Sequence, residues 1–165
     1  MRISVLTLAA AALALAACGQ KPSQPEQSGQ PTEPASAAAQ PTPDQVKALL
    51  AALPAPYNTG DVVNGKAKFT QCAACHTTVQ GGPNMTGPNL YGVFGRKAGT
   101  QPGFAYSDAA KQAAITWDAA HIDTWITDPR GMLPGTKMSF VGLKDPKDRT
   151  DLIAYLKVAT SPAPQ

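Results

Sequence analysis

Two histidines and three cysteines are all this 165-residue chain holds of the side chains that bind transition metals best, and a four-ligand zinc site would need nearly all of them together. Charge is sparse too. Only 15% of residues are charged, and 14 Lys and Arg against 11 Asp and Glu leave a formal net charge of +3. No block of Lys and Arg appears, which excludes nucleic acid as a main partner. No segment alternates apolar and polar residues as a half-buried strand would, so an all-β fold is excluded; no repeat is present. The longest apolar run, Val5 to Ala17, is too short for a comfortable membrane span.

Two of the cysteines and one histidine stand together in Cys72-Ala73-Ala74-Cys75-His76. This C-x-x-C-H spacing suits covalent haem attachment: each thiol adds to a vinyl group, and the adjacent imidazole reaches the iron. One turn of helix puts both sulfurs on one side. A C-x-x-C can also be a redox pair or half a zinc site. The zinc reading lacks two ligands, since only His121 and Cys18 remain. The redox reading needs a βαβ context, and strand-like runs are scarce. The expected cofactor is one covalent haem c with its iron.

The third cysteine closes the apolar run. Arg2 gives it a positive start, and Leu15-Ala16-Ala17-Cys18 resembles a bacterial lipobox. Residues 1–17 then form a lipoprotein signal peptide, and Cys18 is the lipidation site. A small-residue cleavage site with an incidental cysteine is the alternative. Lipidation explains the cysteine, which has no disulfide partner left. Residues 18–43 are rich in Pro, Ala, Gln and Ser without a large apolar residue, and are expected to be a disordered tether. The protein would sit on the periplasmic face of a bacterial membrane, held by lipid; Gly19 leaves both inner and outer membrane open.

The rest of the chain is patterned for helices. Val46, Leu49, Leu50 and Leu53 predict an extra helix within 44–56, started near Thr42 or Asp44 and stopped by Pro54. Asp61 is an N-cap for a helix running into the haem motif. Gly65 inside that helix costs roughly 1 kcal/mol against Ala, which calls for the close approach of another helix. Glycines and prolines predict loops over 77–104 and 130–144. Ser107 should cap a helix over 108–113, and Asp118 one over 119–128. Asp145 with Pro146 starts a last helix reaching Lys157. Residues 44–160 form one domain with its core in 60–157, and 161–165 a disordered tail.

Thr86-Gly87-Pro88-Asn89-Leu90-Tyr91-Gly92-Val93-Phe94-Gly95-Arg96-Lys97 resembles the loop after the haem motif in class I c-type cytochromes, of the mitochondrial cytochrome c and bacterial cytochrome c2 kind. Pro102 to Asp108, Pro134 to Phe140 and Asp148 to Lys157 are similar to later family segments in the same order. The resemblance implies an all-α fold, a small class I cytochrome c fold with helices and loops wrapped around one haem and no significant sheet. It implies His76 and Met138 as the axial iron ligands, with Met132 the competing methionine, and Pro88 as acceptor of the histidine proton. It implies Arg96, Tyr106 and Trp117 around the haem propionates and Thr136 as a hydrogen-bonding residue beside the methionine. Gly65, Phe69, Leu152 and Tyr155 match the contact of first and last helices. Ala110 and Trp125 depart from common family residues.

A six-coordinate iron transfers electrons rather than working on a small ligand. The expected function is therefore an electron carrier, not an enzyme: a monomeric shuttle from quinol–cytochrome c reductase to a terminal oxidase or other periplasmic reductase. Lys68, Lys97, Lys137, Lys144 and Lys147 are candidates for steering an acidic partner.

Overall fold

The computed structural model describes residues 40–162. The expected signal peptide, Cys18 and nearly all of the tether lie outside the described residues, as do 163–165. Six α-helices and one 3₁₀ turn make up the regular structure of the described residues. Strand-like pairing among the described residues is a single antiparallel bridge between Lys97 and Thr116.

Helix α1 (Pro43–Ala51) begins at Thr42, not Asp44. The Thr42 hydroxyl accepts from the Gln45 backbone N–H at 3.3 Å, and the Gln45 side chain accepts from the Thr42 N–H at 2.9 Å, a reciprocal capping box. Leu49 and Leu53 are buried, which places the helix against the domain. The chain then makes a 3₁₀ turn at Tyr57–Thr59.

Helix α2 (Val62–Ala73) starts on Asp61, whose carboxylate accepts from the N–H groups of Val63 at 2.8 Å and Asn64 at 3.1 Å. The last helix, α6 (Pro146–Thr160), is capped the same way by Asp145. Helices α2 and α6 make the most extensive contact between elements in the fold. Gly65 is the reason they can: a Cβ there would collide with the Asp151 carbonyl oxygen and lie 2.8 Å from the Tyr155 Cβ. Phe69 and Tyr155 pack across the crossing with ring centroids 5.3 Å apart. Leu152, Ile153 and Ala154 are fully buried behind them. Helix α6 runs three residues past Lys157 because Thr160 is itself buried, its hydroxyl donating to the Leu156 carbonyl at 2.7 Å and its carbonyl accepting from the Gly92 N–H at 2.6 Å.

Helices α3 (Asp108–Gln112) and α4 (Ala119–Thr127) are capped by Ser107 and Asp118 as expected, and each ends one residue early. The early end of α4 has a cause. Asp128 leaves the helix to cap a short helix, α5 (Pro129–Met132), by accepting from the Gly131 N–H at 3.0 Å. Helix α5 falls largely within the expected loop 130–144. Its start signal, an acidic cap followed by proline, was outweighed by the neighbouring Gly131 and Pro134. Ala119, Ile122 and Ile126 of α4 join Val93, Phe69, Leu152 and Leu156 in one apolar cluster.

Candidate functional site

Between the end of α2, helix α4 and the loops 86–107 and 133–140 lies a cavity of about 380 Å³ with chiefly apolar walls. All nine residues expected to bind the haem or its iron line it: Cys72, Cys75, His76, Pro88, Arg96, Tyr106, Trp117, Thr136 and Met138.

Cys72 sits in the last turn of α2. The turn continues past the helix end, because the Cys72 carbonyl accepts from both the Cys75 and His76 N–H groups at 2.9 Å. That keeps both sulfurs at the cavity wall. Burial, reinforced by the nearby Cys75, pushes the Cys72 thiol up to about 11. Such a thiol is a poor nucleophile at neutral pH, the reverse of what a redox dithiol needs.

The His76 ring is fixed by a hydrogen bond from Nδ1 to the Pro88 carbonyl at 2.7 Å. A carbonyl only accepts, so Nδ1 carries the proton and Nε2 keeps its lone pair. Burial lowers the His76 pKa, outweighing the opposing effect of that bond, and favours the neutral ligating form. Gly87, which sequence reasoning did not single out, makes the placement possible. A Cβ there would lie 2.7 Å from ring atoms Nδ1 and Nε2. The other histidine, His121, stands on α4 and bonds its own cap, Asp118, at 2.8 Å.

Of Met85, Met132 and Met138, Met138 alone lines the cavity. Met85 is exposed, and Met132 ends α5. The Thr136 hydroxyl accepts from the Met138 N–H at 3.2 Å, turning the backbone at the methionine. Lys137 donates to the Ala105 carbonyl at 2.8 Å and so ties this loop to the one opposite.

Arg96 reaches in from the other loop. Its guanidinium donates to the Tyr91 carbonyl at 3.1 Å, the Asn89 carbonyl at 3.0 Å and the Gln101 side chain. Burial draws its pKa down, with Tyr106 acting the other way. Burial likewise raises the Tyr106 phenol. Trp117 packs on Trp125 at 5.5 Å between ring centroids, and both line the cavity. Tyr155 does not; it belongs to the helix crossing. Asn89, buried and missed from sequence, braces the loop by donating to Thr77 and Val79 and accepting from the Tyr91 N–H.

The candidate steering lysines are more engaged than the sequence suggested. Lys68 pairs with Asp148 at 2.8 Å and Lys147 with Asp151 at 2.5 Å, which neutralises both locally. Lys144 donates to the Thr127 carbonyl and Lys137 to that of Ala105, without a counter-charge.

Two thiols, a tautomer-fixed imidazole and a thioether on one apolar cavity, with a guanidinium in its wall, form a donor set that fits a covalently bound haem and matches no other cofactor as well. Fold and site define an all-α, single-haem electron-transfer protein. The family model for cytochrome c matches residues 62–160. The chain is 50% identical over 103 residues to cytochrome c of Chlamydomonas reinhardtii, covering 62% of this chain and 92% of that one. It is 53% identical over 96 residues to cytochrome c2 of Rhodoplanes tepidamans, covering 58% and 90%. Among solved structures it is similar to cytochrome cH from Methylobacterium extorquens, at 47% identity and a TM-score of 0.56, covering 59% of this chain and 98% of that one. This chain belongs to the cytochrome c family. It is accordingly a carrier of electrons rather than an enzyme, and its cofactor is haem c with iron.

Proposed function

We propose that this protein is a membrane-anchored, single-haem shuttle that carries one electron at a time from quinol–cytochrome c reductase to a terminal oxidase or other periplasmic reductase. The observation that carries the reading is the pairing of a proton-fixed His76 with Met138 on one cavity. Cys72 and Cys75 would hold the haem through thioethers, and His76 and Met138 would bind its iron. Pro88 orients the imidazole and raises its basicity. Thr136 shapes the loop that presents the thioether. Arg96, Tyr106 and Trp117, which line the cavity, would supply donors for the propionates, whose burial without partners would be costly. The bound iron supplies one-electron redox chemistry. His76 and Met138 would leave that iron no open position, and the cavity walls around it are chiefly apolar. A soft thioether favours Fe(II), so the potential is positive.

Lipid on Cys18 anchors the protein at the periplasmic face of the membrane, and residues 18–43 give the domain reach. No helix among the described residues is long and apolar enough to cross a membrane. Anchoring raises the effective concentration at membrane complexes without adding contacts. With two of the candidate lysines already paired, steering of an acidic partner is mild and weakly salt-dependent. The protein acts as a monomer.

Two measurements test this. The reduced protein at neutral pH is expected to bind carbon monoxide slowly; fast binding would rule out a closed carrier site. In membranes, reoxidation should stop when the accepting oxidase or reductase is deleted. Unchanged turnover without any oxidase would sink the oxidase as acceptor.

A further inference from the structure

Helix α4 serves the cavity twice. Its Ile122, Trp125 and Ile126 form part of the wall, and its last turn meets the methionine loop on both sides. Where the loop begins, Asp128 leaves α4 to cap α5, and the Pro129 carbonyl accepts from the N–H of Leu133, a wall residue, at 3.0 Å. Where the loop ends, Leu143 donates its N–H to the Ile126 carbonyl at 2.7 Å, and Lys144 Nζ donates to the Thr127 carbonyl at 2.8 Å. A helix leaves its last carbonyls without partners of its own, so the returning chain completes the end of α4.

Gly142 lets the chain come this close. Its φ is +94°, and a Cβ there would collide with the Thr127 carbonyl oxygen. The joint is held from α6 as well. Arg149 donates from Nη1 to the Leu143 carbonyl at 3.1 Å and the Lys144 carbonyl at 2.8 Å. Its Nε donates to the Asp123 carboxylate on α4 at 2.6 Å, in a pair whose side chains are 13% and 27% exposed. Helix α4, residues 142–144 and α6 therefore meet in one joint. Between it and Met138 lie only Ser139 and Phe140, which line the cavity, and Val141, which is exposed.

We propose that the last turn of α4 roots the methionine loop at both ends, and that the joint at its far end sets how firmly Met138 is held at the iron. Gly142, Lys144, Asp123 and Arg149 are its positioning residues. None of the four lines the cavity. They act through the chain: Met138 retreats most easily when 142–144 part from α4, so each bond at the joint slows its displacement. The proposal rests on Met138 being the iron ligand.

The test uses the full-length, haem-loaded protein with Gly142→Ala, Asp123→Asn and Lys144→Met, each made separately. Two readouts are taken: amide exchange at Leu143 and Gly65, and the rate at which imidazole replaces Met138 in the oxidised protein. Gly142→Ala joins an unfavourable φ to the collision and should speed Leu143 exchange at least about tenfold. Asp123→Asn takes the charged acceptor from Arg149 and should speed it about tenfold. Lys144→Met removes one exposed bond and should speed it about threefold. Imidazole entry should rise in the same order. Gly65, whose N–H donates to the Asp61 carbonyl at 2.8 Å, should stay within about twofold. Equal acceleration at Leu143 and Gly65 would mean a general loss of stability and overturn the proposal. So would faster Leu143 exchange with unchanged imidazole entry, or no change at Leu143 in any variant. Should the wild type bind imidazole as fast as Met138→Ala, it is the ligand assignment that fails, and Leu143 exchange still reports whether the joint holds the loop. If Gly142→Ala and Asp123→Asn do not fold, Lys144→Met alone decides.

Discussion

The α2–α6 crossing and the loop half of the domain are built on different terms. At the crossing, helix backbones meet at Gly65 with no room for a methyl group, and Leu152, Ile153 and Ala154 are wholly buried by protein. Its polar groups are satisfied internally: Asp151, 1% exposed, accepts from the Asp61 N–H at 2.9 Å, Asn64 at 2.7 Å and Lys147 at 2.5 Å. In the loop half, segments 86–107 and 133–140 turn their apolar side chains toward a cavity of about 380 Å³. They are held to each other by single bonds such as Lys137 to Ala105. The crossing is specified by its own side chains. The loops are specified jointly by their hydrogen bonds and by the group they enclose. A domain this small has little core to spare, so the second region depends on the haem for burial.

The contrast can be broken at several points. The largest effect is expected from Cys72→Ser with Cys75→Ser. Without covalent attachment the loop half loses its apolar partner, and cooperative thermal unfolding should disappear from circular dichroism. A sharp transition in the haem-free double variant would show that the loops need no partner. Next in size is Gly65→Ala, where the added carbon meets the Asp151 carbonyl. This forces the helices apart and should cost at least about 3 kcal/mol in denaturant unfolding of the haem-loaded protein. A loss under about 1 kcal/mol would mean the crossing is looser than its geometry.

Asp151 gives a smaller, pH-dependent effect. Burial alone would raise its pKa, but hydrogen bonds from Lys147, Asn64 and the Asp61 N–H overcome this and hold it below the ordinary 3.8. A depressed folded pKa stabilises the fold above the unfolded value, and that stability is lost as pH falls through the folded one. Lys68 and Asp148 complete the charged groups beside it. Asp151→Asn should cost about 1–3 kcal/mol at neutral pH by leaving donors unsatisfied. It should also flatten the acid loss of stability below about pH 4. An unchanged acid limb would shift that role to another carboxylate. Smallest of all, Thr42→Ala removes the α1 cap and should cost about 1 kcal/mol, with haem absorbance unchanged. A changed haem spectrum would mean that α1 bears on the site more directly than its place suggests.

Much of the site was readable because its chemistry demands rare residues at set spacings. Cys72, Cys75 and His76 are adjacent, so their joint purpose needs no tertiary knowledge. Helix starts were also local: Asp61, Ser107, Asp118 and Asp145 each cap a helix that begins just after them. The failures were of two kinds. Asp128 ends one helix and begins another, and a nearby glycine and proline hid the second start. Gly87 and Asn89 looked like ordinary turn residues, since their purposes lie against a ring and a loop brought there by the fold.

By itself, the sequence determined the haem motif, the capped helices and the need for something to approach Gly65. Each follows from contacts within a few residues or from a steric absence that any neighbour must respect. Only the tertiary structure decided that α6 is that neighbour, that Met138 and not Met132 faces the cavity, and that Arg149 joins Asp123 on α4 to the carbonyls of Leu143 and Lys144. Those outcomes depend on distances between residues far apart in the chain, which no local pattern encodes.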